Sequence, residues 1–300
     1  MRRIGVHTSI NGGLHHSLER AEALGCNTLQ IFSHNPRGWA VKSISEEEAM
    51  KFKSLRSHLH MTPLYIHTSY LINIASRDND LMRRSIDLLA VEMDRADAIG
   101  AEYVILHPGS ASWDEERVAR KRAIDALKEV TLMGYWTAGL LIENTAGERG
   151  DISSQVANLS DLLNDMKGLL IAGICIDTCH AFAAGYDIGS EEGIQHISEE
   201  IEKYIGLDKL KLVHLNDSKG DLGSGIDRHE HIGLGKIGSR GLRQFLNHLP
   251  FRDIPLILET PKKRETDDFE NLRKVRQMIR KGSSRFKNNC SEKWQNKIVH

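Results

Sequence analysis

The stretch Leu140-Leu141-Ile142-Glu143 is an apolar run of strand length that ends on a carboxylate. Similar short runs, rich in Ile, Val and Leu, fall at residues 4–6, 28–32, 64–66, 103–106, 174–176, 210–213 and 256–258, making eight predicted strands in all. The segments between them carry helical spacing. Leu14, Leu18, Ala21 and Leu24 precede Gly25, while Val156, Leu159, Leu163 and Met166 precede Gly168. Ser45 and Glu48 form a capping box that opens another helix, and Ile194, Ile197, Ile201 and Ile205 repeat at the same period before Gly206. Strand then helix, repeated eight times, is the layout of a single-domain (β/α)8 barrel of the TIM type, predicted over residues 1–281. A doubly wound open sheet is the competing arrangement, but no G-x-G-x-x-G loop follows the first strand.

The residue after each run is, in order, His7, Ser33, His67, His107, Glu143, Asp177, His214 and Glu259. Seven of these eight are His, Asp or Glu, although the whole chain holds 41 Asp and Glu and 15 His in 300 residues. One such residue at a strand end is ordinarily a loop hydrogen-bonder. Together they differ, because the C-terminal mouth of a barrel brings all the strand ends around one cavity, where carboxylates and imidazoles repel unless cations join them. A multinuclear metal site at that mouth is the consequence. Further candidate ligands follow in Asp177-Thr178-Cys179-His180 and Asp227-Arg228-His229. Imidazole mixed with carboxylate suits zinc, with manganese as second choice, whereas calcium and magnesium favour oxygen ligands alone. Cys179 without a partner cysteine reads as packing.

No apolar run approaches the roughly 20 residues of a membrane span, and no secretory apolar region follows Arg2-Arg3. The four cysteines lack C-x-x-C spacing, which argues for a reducing, cytoplasmic setting. From residue 282 to 300 periodicity gives way to Lys, Asn and Ser, read as a flexible basic tail. The formal charge of −1 by itself argues against a nucleic-acid backbone partner.

Five strings in a fixed order sharpen the reading. They are His67-Thr68-Ser69-Tyr70-Leu71-Ile72-Asn73, Ile142-Glu143-Asn144-Thr145-Ala146-Gly147, Cys175-Ile176-Asp177-Thr178-Cys179-His180, His214-Leu215-Asn216-Asp217-Ser218-Lys219, and Gly223-Ser224 leading to Asp227-Arg228-His229. Through them residues 1–280 resemble the endonuclease IV family of zinc-dependent abasic-site endonucleases. The resemblance implies three zinc ions: His67, His107 and Glu143 on the first, Glu143 as a bridge with Asp177, His214 and Glu259 on the second, and His180, Asp227 and His229 on the third. Manganese is the alternative at the most exposed of these. Three divalent ions would carry the formal charge from −1 to about +5 and remove the objection to a DNA partner.

The implied reaction is hydrolysis of the phosphodiester 5′ to an abasic site in duplex DNA, by a three-zinc mechanism that leaves a 3′-hydroxyl and a 5′-deoxyribose phosphate. Glu143 and Glu259 are the catalytic candidates, either of them orienting the attacking water. Damaged duplex DNA would be read by the loop Asn35-Pro36-Arg37-Gly38-Trp39 and by Tyr70-Leu71, since apolar wedges can enter a base stack and Arg can fill a groove. A monomer is expected. The competing enzyme is a metal-dependent sugar isomerase or epimerase holding one ion on Glu143, Asp177, His214 and Glu259, which leaves the other five ligand candidates without a role.

Overall fold

The computed structural model describes residues 2–111, 113–166 and 170–279, so the basic tail expected from residue 282 lies outside the described residues. The chain begins β1 (Ile4–Thr8), α1 (Leu14–Ala23), β2 (Leu29–Phe32), α2 (Glu46–His58), β3 (Leu64–His67), α3 (Asn79–Ile99) and β4 (Tyr103–Leu106). It continues with α4 (Glu116–Met133), β5 (Gly139–Glu143), α5 (Val156–Asn164), β6 (Ile171–Asp177), α6 (Thr178–Ala183), α7 (Glu191–Tyr204) and β7 (Leu210–His214). The remaining elements among the described residues are β8 (Asp217–Ser218), β9 (His229–Glu230), α8 (Gly238–Asn247), β10 (Leu256–Leu258) and α9 (Asp267–Met278). Strands β1 to β7 and β10 pair in parallel and close in the order β1-β10-β7-β6-β5-β4-β3-β2, a single-domain (β/α)8 barrel as the sequence predicts. No helix among the described residues is long and apolar enough to cross a membrane.

Local signals set the helices. The Ser45 side chain accepts from the Glu48 amide and opens α2; Asp78 accepts from Asp80 and Leu81 and opens α3. α3 stops at Gly100, whose φ of 70° is the left-handed turn that glycine adopts without strain.

Among the described residues most buried apolar side chains fall into two cores. The larger lies between the barrel wall and the helices. The smaller fills the barrel and consists of Tyr65, Ile105, Leu141, Cys175, Leu212 and Ile257. Gly5 completes that layer on β1, where an added Cβ would stand 2.0 Å from the Thr28 carbonyl oxygen. Side chains alternate across a strand, so two residues further along the same inward face come His67, His107, Glu143, Asp177, His214, Glu259 and His7. The apolar layer is thus a floor, and the titratable residues stand directly on it. On β2 the alternation runs from Gln30 to Phe32, and Ser33 instead turns outward, where its hydroxyl accepts from Arg95.

Two connections depart from the simple repeat. β6 passes into α6 without a loop, Asp177 serving as both strand end and helix cap by accepting from the His180 amide at 2.9 Å. Between β7 and α8 the chain inserts the antiparallel β8–β9 hairpin, which carries His229. The buried Asp217 carboxylate organises this segment, accepting from the backbone amides of Ser218, Gly233, Gly235, Ile237 and Gly238 at 2.9 to 3.2 Å. Five amides aimed at one carboxylate cannot be satisfied by an apolar side chain. Asp217→Ala is therefore expected to cost about 2–4 kcal/mol in urea unfolding and to expose residues 217–238 to limited proteolysis. Wild-type stability and an unchanged digest would show that the hairpin does not depend on this carboxylate.

Candidate metal centre

The barrel places nine potential ligands around a cavity of about 470 Å³, whose lining includes His7, Phe32, His67, Tyr70, His107, His180, Asp227, Arg228, His229 and Glu259. Glu143 lies beneath them with no exposure to water. Its Oε2 is 3.0 Å from His107 Nε2 and 3.4 Å from His67 Nε2; its Oε1 is 2.8 Å from His214 Nδ1. His214 Nδ1 also stands 3.2 Å from Glu259 Oε2. On the far side, Asp227 Oδ1 lies 3.2 Å from His180 Nε2 and 3.3 Å from His229 Nε2. Asp177, beside His214 in the sheet register, turns its Oδ2 toward His229 Nε2 at 3.6 Å. Two compact triads result, His67–His107–Glu143 and His180–Asp227–His229, in each of which the donor atoms lie within 4.8 Å of one another.

Four of the imidazoles are anchored by one nitrogen and turn the other toward the carboxylates of the site. Nδ1–H donates to the Thr68 carbonyl from His67 (2.8 Å), to the Asn144 carbonyl from His180 (2.9 Å) and to the Glu259 carbonyl from His229 (3.1 Å). This fixes the tautomer and leaves Nε2 as a lone-pair donor. His214 is held the other way, donating from Nε2 to Gln30 Oε1 at 2.7 Å with Nδ1 turned into the site. Glu143 Oε2, His180 Nε2 and His229 Nε2 are buried and have no hydrogen-bond partner among the described residues. Buried polar atoms without partners are costly, and a cation is the partner this donor set fits.

Electrostatics supports the same fit. Burial, the largest influence on Glu143, would raise its pKa, but the adjacent His214 and His107 outweigh it and hold the carboxyl well below its ordinary range. Burial would likewise suppress the charge on His214, yet Cys175, Glu143 and Glu259 raise its pKa well above the usual value. His180 behaves the same way through Asp177 and Asp227. Imidazole and carboxylate here each favour the other's charged form, and a divalent ion can supply the positive charge in place of protons. The two cysteines nearby are poor thiolate ligands. Burial pushes Cys175, part of the floor, up to about 12, and it also raises Cys179, buried in α6.

The DNA-reading candidates are placed unequally. Tyr70 is 65% exposed, lines the cavity and meets the Phe32 ring edge-on at 5.1 Å, so it is not a core residue. Asn35 and Arg37 are exposed on the β2–α2 loop, where Asn35 Oδ1 accepts from the Arg37 amide, and Leu71 is half-buried just after β3. Those three do not line the cavity. Sequence reasoning missed Gln30, which donates to Glu259 Oε1 at 2.6 Å as well as accepting from His214. Its signal was a single polar side chain inside the apolar strand Leu29–Phe32. It also passed over Asn216, which donates to Asp177 Oδ2 at 2.6 Å and accepts from the Glu259 amide, tying two strand ends together.

The sequence profile of the family described as xylose isomerase-like TIM barrel matches residues 18–282. A protein named probable endonuclease 4 from Halothermothrix orenii is 44% identical over 262 residues, covering 87% of this chain and 94% of its own length. Another of that name from Methanoculleus marisnigri is 42% identical over 276 residues, covering 92% and 98%. The crystal structure of endonuclease IV from Thermus thermophilus superposes with a TM-score of 0.82 at 35% identity, covering 92% of this chain and 98% of that one. A D-tagatose 3-epimerase-like protein matches at a TM-score of 0.68 but 17% identity, over 92% of this chain and 97% of that one, a likeness of fold alone. With its mouth of histidines and carboxylates on this barrel, the chain belongs to the endonuclease IV family of hydrolases.

Proposed function

We propose that the enzyme hydrolyses the phosphodiester bond 5′ to an abasic site in duplex DNA, leaving a 3′-hydroxyl and a 5′-deoxyribose phosphate, with three zinc ions at the barrel mouth. The observation that carries this reading is the set of imidazoles anchored by one nitrogen and turned by the other toward shared carboxylates. His67, His107 and Glu143 would hold one ion; Glu143, Asp177, His214 and Glu259 the second; His180, Asp227 and His229 the third. Manganese fits best at the third, because the Asp227 side chain is 43% exposed. When bound, zinc supplies Lewis acidity that neutralises phosphate oxygens and lowers the pKa of water toward about 7.

The side chains have separable tasks. Glu143 contributes fixed negative charge at the centre and orients His107 and His214 around it. Glu259 is the better placed carboxylate to orient an attacking water, since it lines the cavity and is 16% exposed whereas Glu143 is sealed. Arg228 and Lys262 on the cavity wall meet the phosphates. Tyr70 and Leu71 enter the stack opened at the missing base, and Arg37 with Asn35 follows the groove.

Elemental analysis of the purified, active enzyme is expected to find about three zinc per chain; one metal or fewer in active protein would refute the ligand assignment. Chelation should abolish nicking of an abasic oligonucleotide, and zinc should restore it. Glu143→Gln keeps the shape but loses the charge, and should lower kcat on the order of 10²- to 10³-fold, the scale of one preorganised electrostatic contact, with DNA affinity changing far less. Unchanged turnover would remove Glu143 from the reaction. Replacing both Tyr70 and Leu71 by Ala should reduce the affinity ratio between abasic and intact duplex by about 1–3 kcal/mol per inserted group at fixed salt, with metals retained. An unchanged ratio would move recognition to Arg37 and its loop.

A further inference from the structure

Beneath the loops assigned above to DNA reading lies a buried carboxylate that takes no part in the metal centre. Glu92 on α3 is 1% exposed, and among the described residues its ion-pair partner is His34 at 2.7 Å rather than a lysine or arginine. Its oxygens also accept from the Ser69 amide, at 3.0 and 3.3 Å. His34 opens the 34–39 loop and Ser69 opens the Tyr70–Leu71 turn, so one carboxylate joins two segments that are 35 positions apart in the chain. Ser69 extends the joint, its hydroxyl donating to the Pro36 carbonyl at 2.7 Å and accepting from the Leu71 amide at 3.2 Å.

The rest of the same helix face acts on the same loop. Arg84 lies over the Trp39 ring, 4.0 Å from its centroid, and Arg95 donates to the carbonyls of Ser33 and Lys42. Positions 84, 92 and 95 fall on one side of a helix, so α3 is a template against which the whole loop is laid. A buried carboxylate whose direct partners are an imidazole and a backbone amide, with Arg95 acting on it only through space, is an expensive way to pack a helix against a loop. What it supplies that an apolar side chain cannot is direction, because each hydrogen bond fixes one loop relative to the other.

We propose that Glu92 is a positioning residue that locks the Asn35–Trp39 loop to the Ser69–Leu71 turn, so that Arg37 and Tyr70 meet damaged DNA as one rigid unit. This rests on the abasic-site reading given above. Loops ordered in advance lose less entropy on binding, so the joint acts on substrate capture and leaves the chemical step alone.

The experiment is steady-state nicking of an abasic duplex by the zinc-loaded full chain, comparing wild type with Glu92→Gln, His34→Leu and His34→Gln. Glu92→Gln and His34→Leu should raise KM about tenfold, the scale of one hydrogen bond to a charged group, with kcat and zinc content near wild type. His34→Gln can still donate to Glu92 and should retain most of the wild-type KM. Tyr70→Ala should cost less in the Glu92→Gln background than in wild type. A lowered melting temperature with wild-type KM would make Glu92 a packing residue, and lost zinc or lost kcat at constant KM would assign it to the metal centre; either overturns the proposal. A wild-type enzyme that fails to nick abasic duplex would instead bring down the functional reading itself, whatever the variants do.

Discussion

Glu143 has no contact with water, yet four imidazole nitrogens crowd its two oxygens at 2.8 to 3.5 Å. A charge so placed is tolerable only if opposite charge is held against it, and the surrounding architecture serves that requirement. The apolar floor of Tyr65, Ile105, Leu141, Cys175, Leu212 and Ile257 excludes water from below. The closed barrel fixes the azimuth of each strand, and the alternation of side chains puts each polar residue on the inward face, one step beyond the floor residue of its own strand. Low dielectric strengthens every attraction among these groups, and it would make any unpaired member costly.

The imidazoles are held by carbonyl oxygens and one amide side chain, all supplied by the barrel itself. Backbone acceptors at Thr68, Asn144 and Glu259 cannot be lost by substitution, which leaves Gln30 as the side chain on which ring orientation depends. His214 is turned opposite to its neighbours for that reason. Its Nδ1 reaches both Glu143 and Glu259, so the residue lies between the two carboxylates proposed for catalysis.

Much of this was legible in the sequence, because the barrel needs only alternating strands and helices, and their apolar runs are unbroken by charge except at Lys211. All eight predicted strands are present, and Ser45 caps α2 as its spacing indicates, although the Glu48 carboxylate, the other half of the box, accepts from the Leu14 amide instead. The convergence of His67, His107, Glu143, Asp177, His214 and Glu259 was likewise legible, since it follows from strand ends in a closed sheet. His180, Asp227 and His229 were less so. Their approach depends on α6 starting directly where β6 ends and on the β8–β9 hairpin, whose fold is set by five amides meeting Asp217, and no periodicity in the sequence encodes either. Gln30 and Glu92 were invisible for a different reason: a single buried polar residue looks the same in sequence whether it faces a helix, a loop or a metal centre. Ser33 shows the limit of reading strand ends by position, for one residue of phase sends it out of the barrel toward Arg95.

The junction at Asp177 has a bearing on how this scaffold can change. Elsewhere a loop separates strand from helix and can absorb added or deleted residues without disturbing either partner. Here the carboxylate that ends β6 also caps α6, and His180 follows one turn later. An inserted residue would rotate His180 by about 100° about the helix axis and swing its ring from the cavity to the wall. The segment from Cys175 to His180 therefore behaves as a fixed reading frame in three dimensions: divergent relatives and engineered chimeras can exchange its residues but not alter its length.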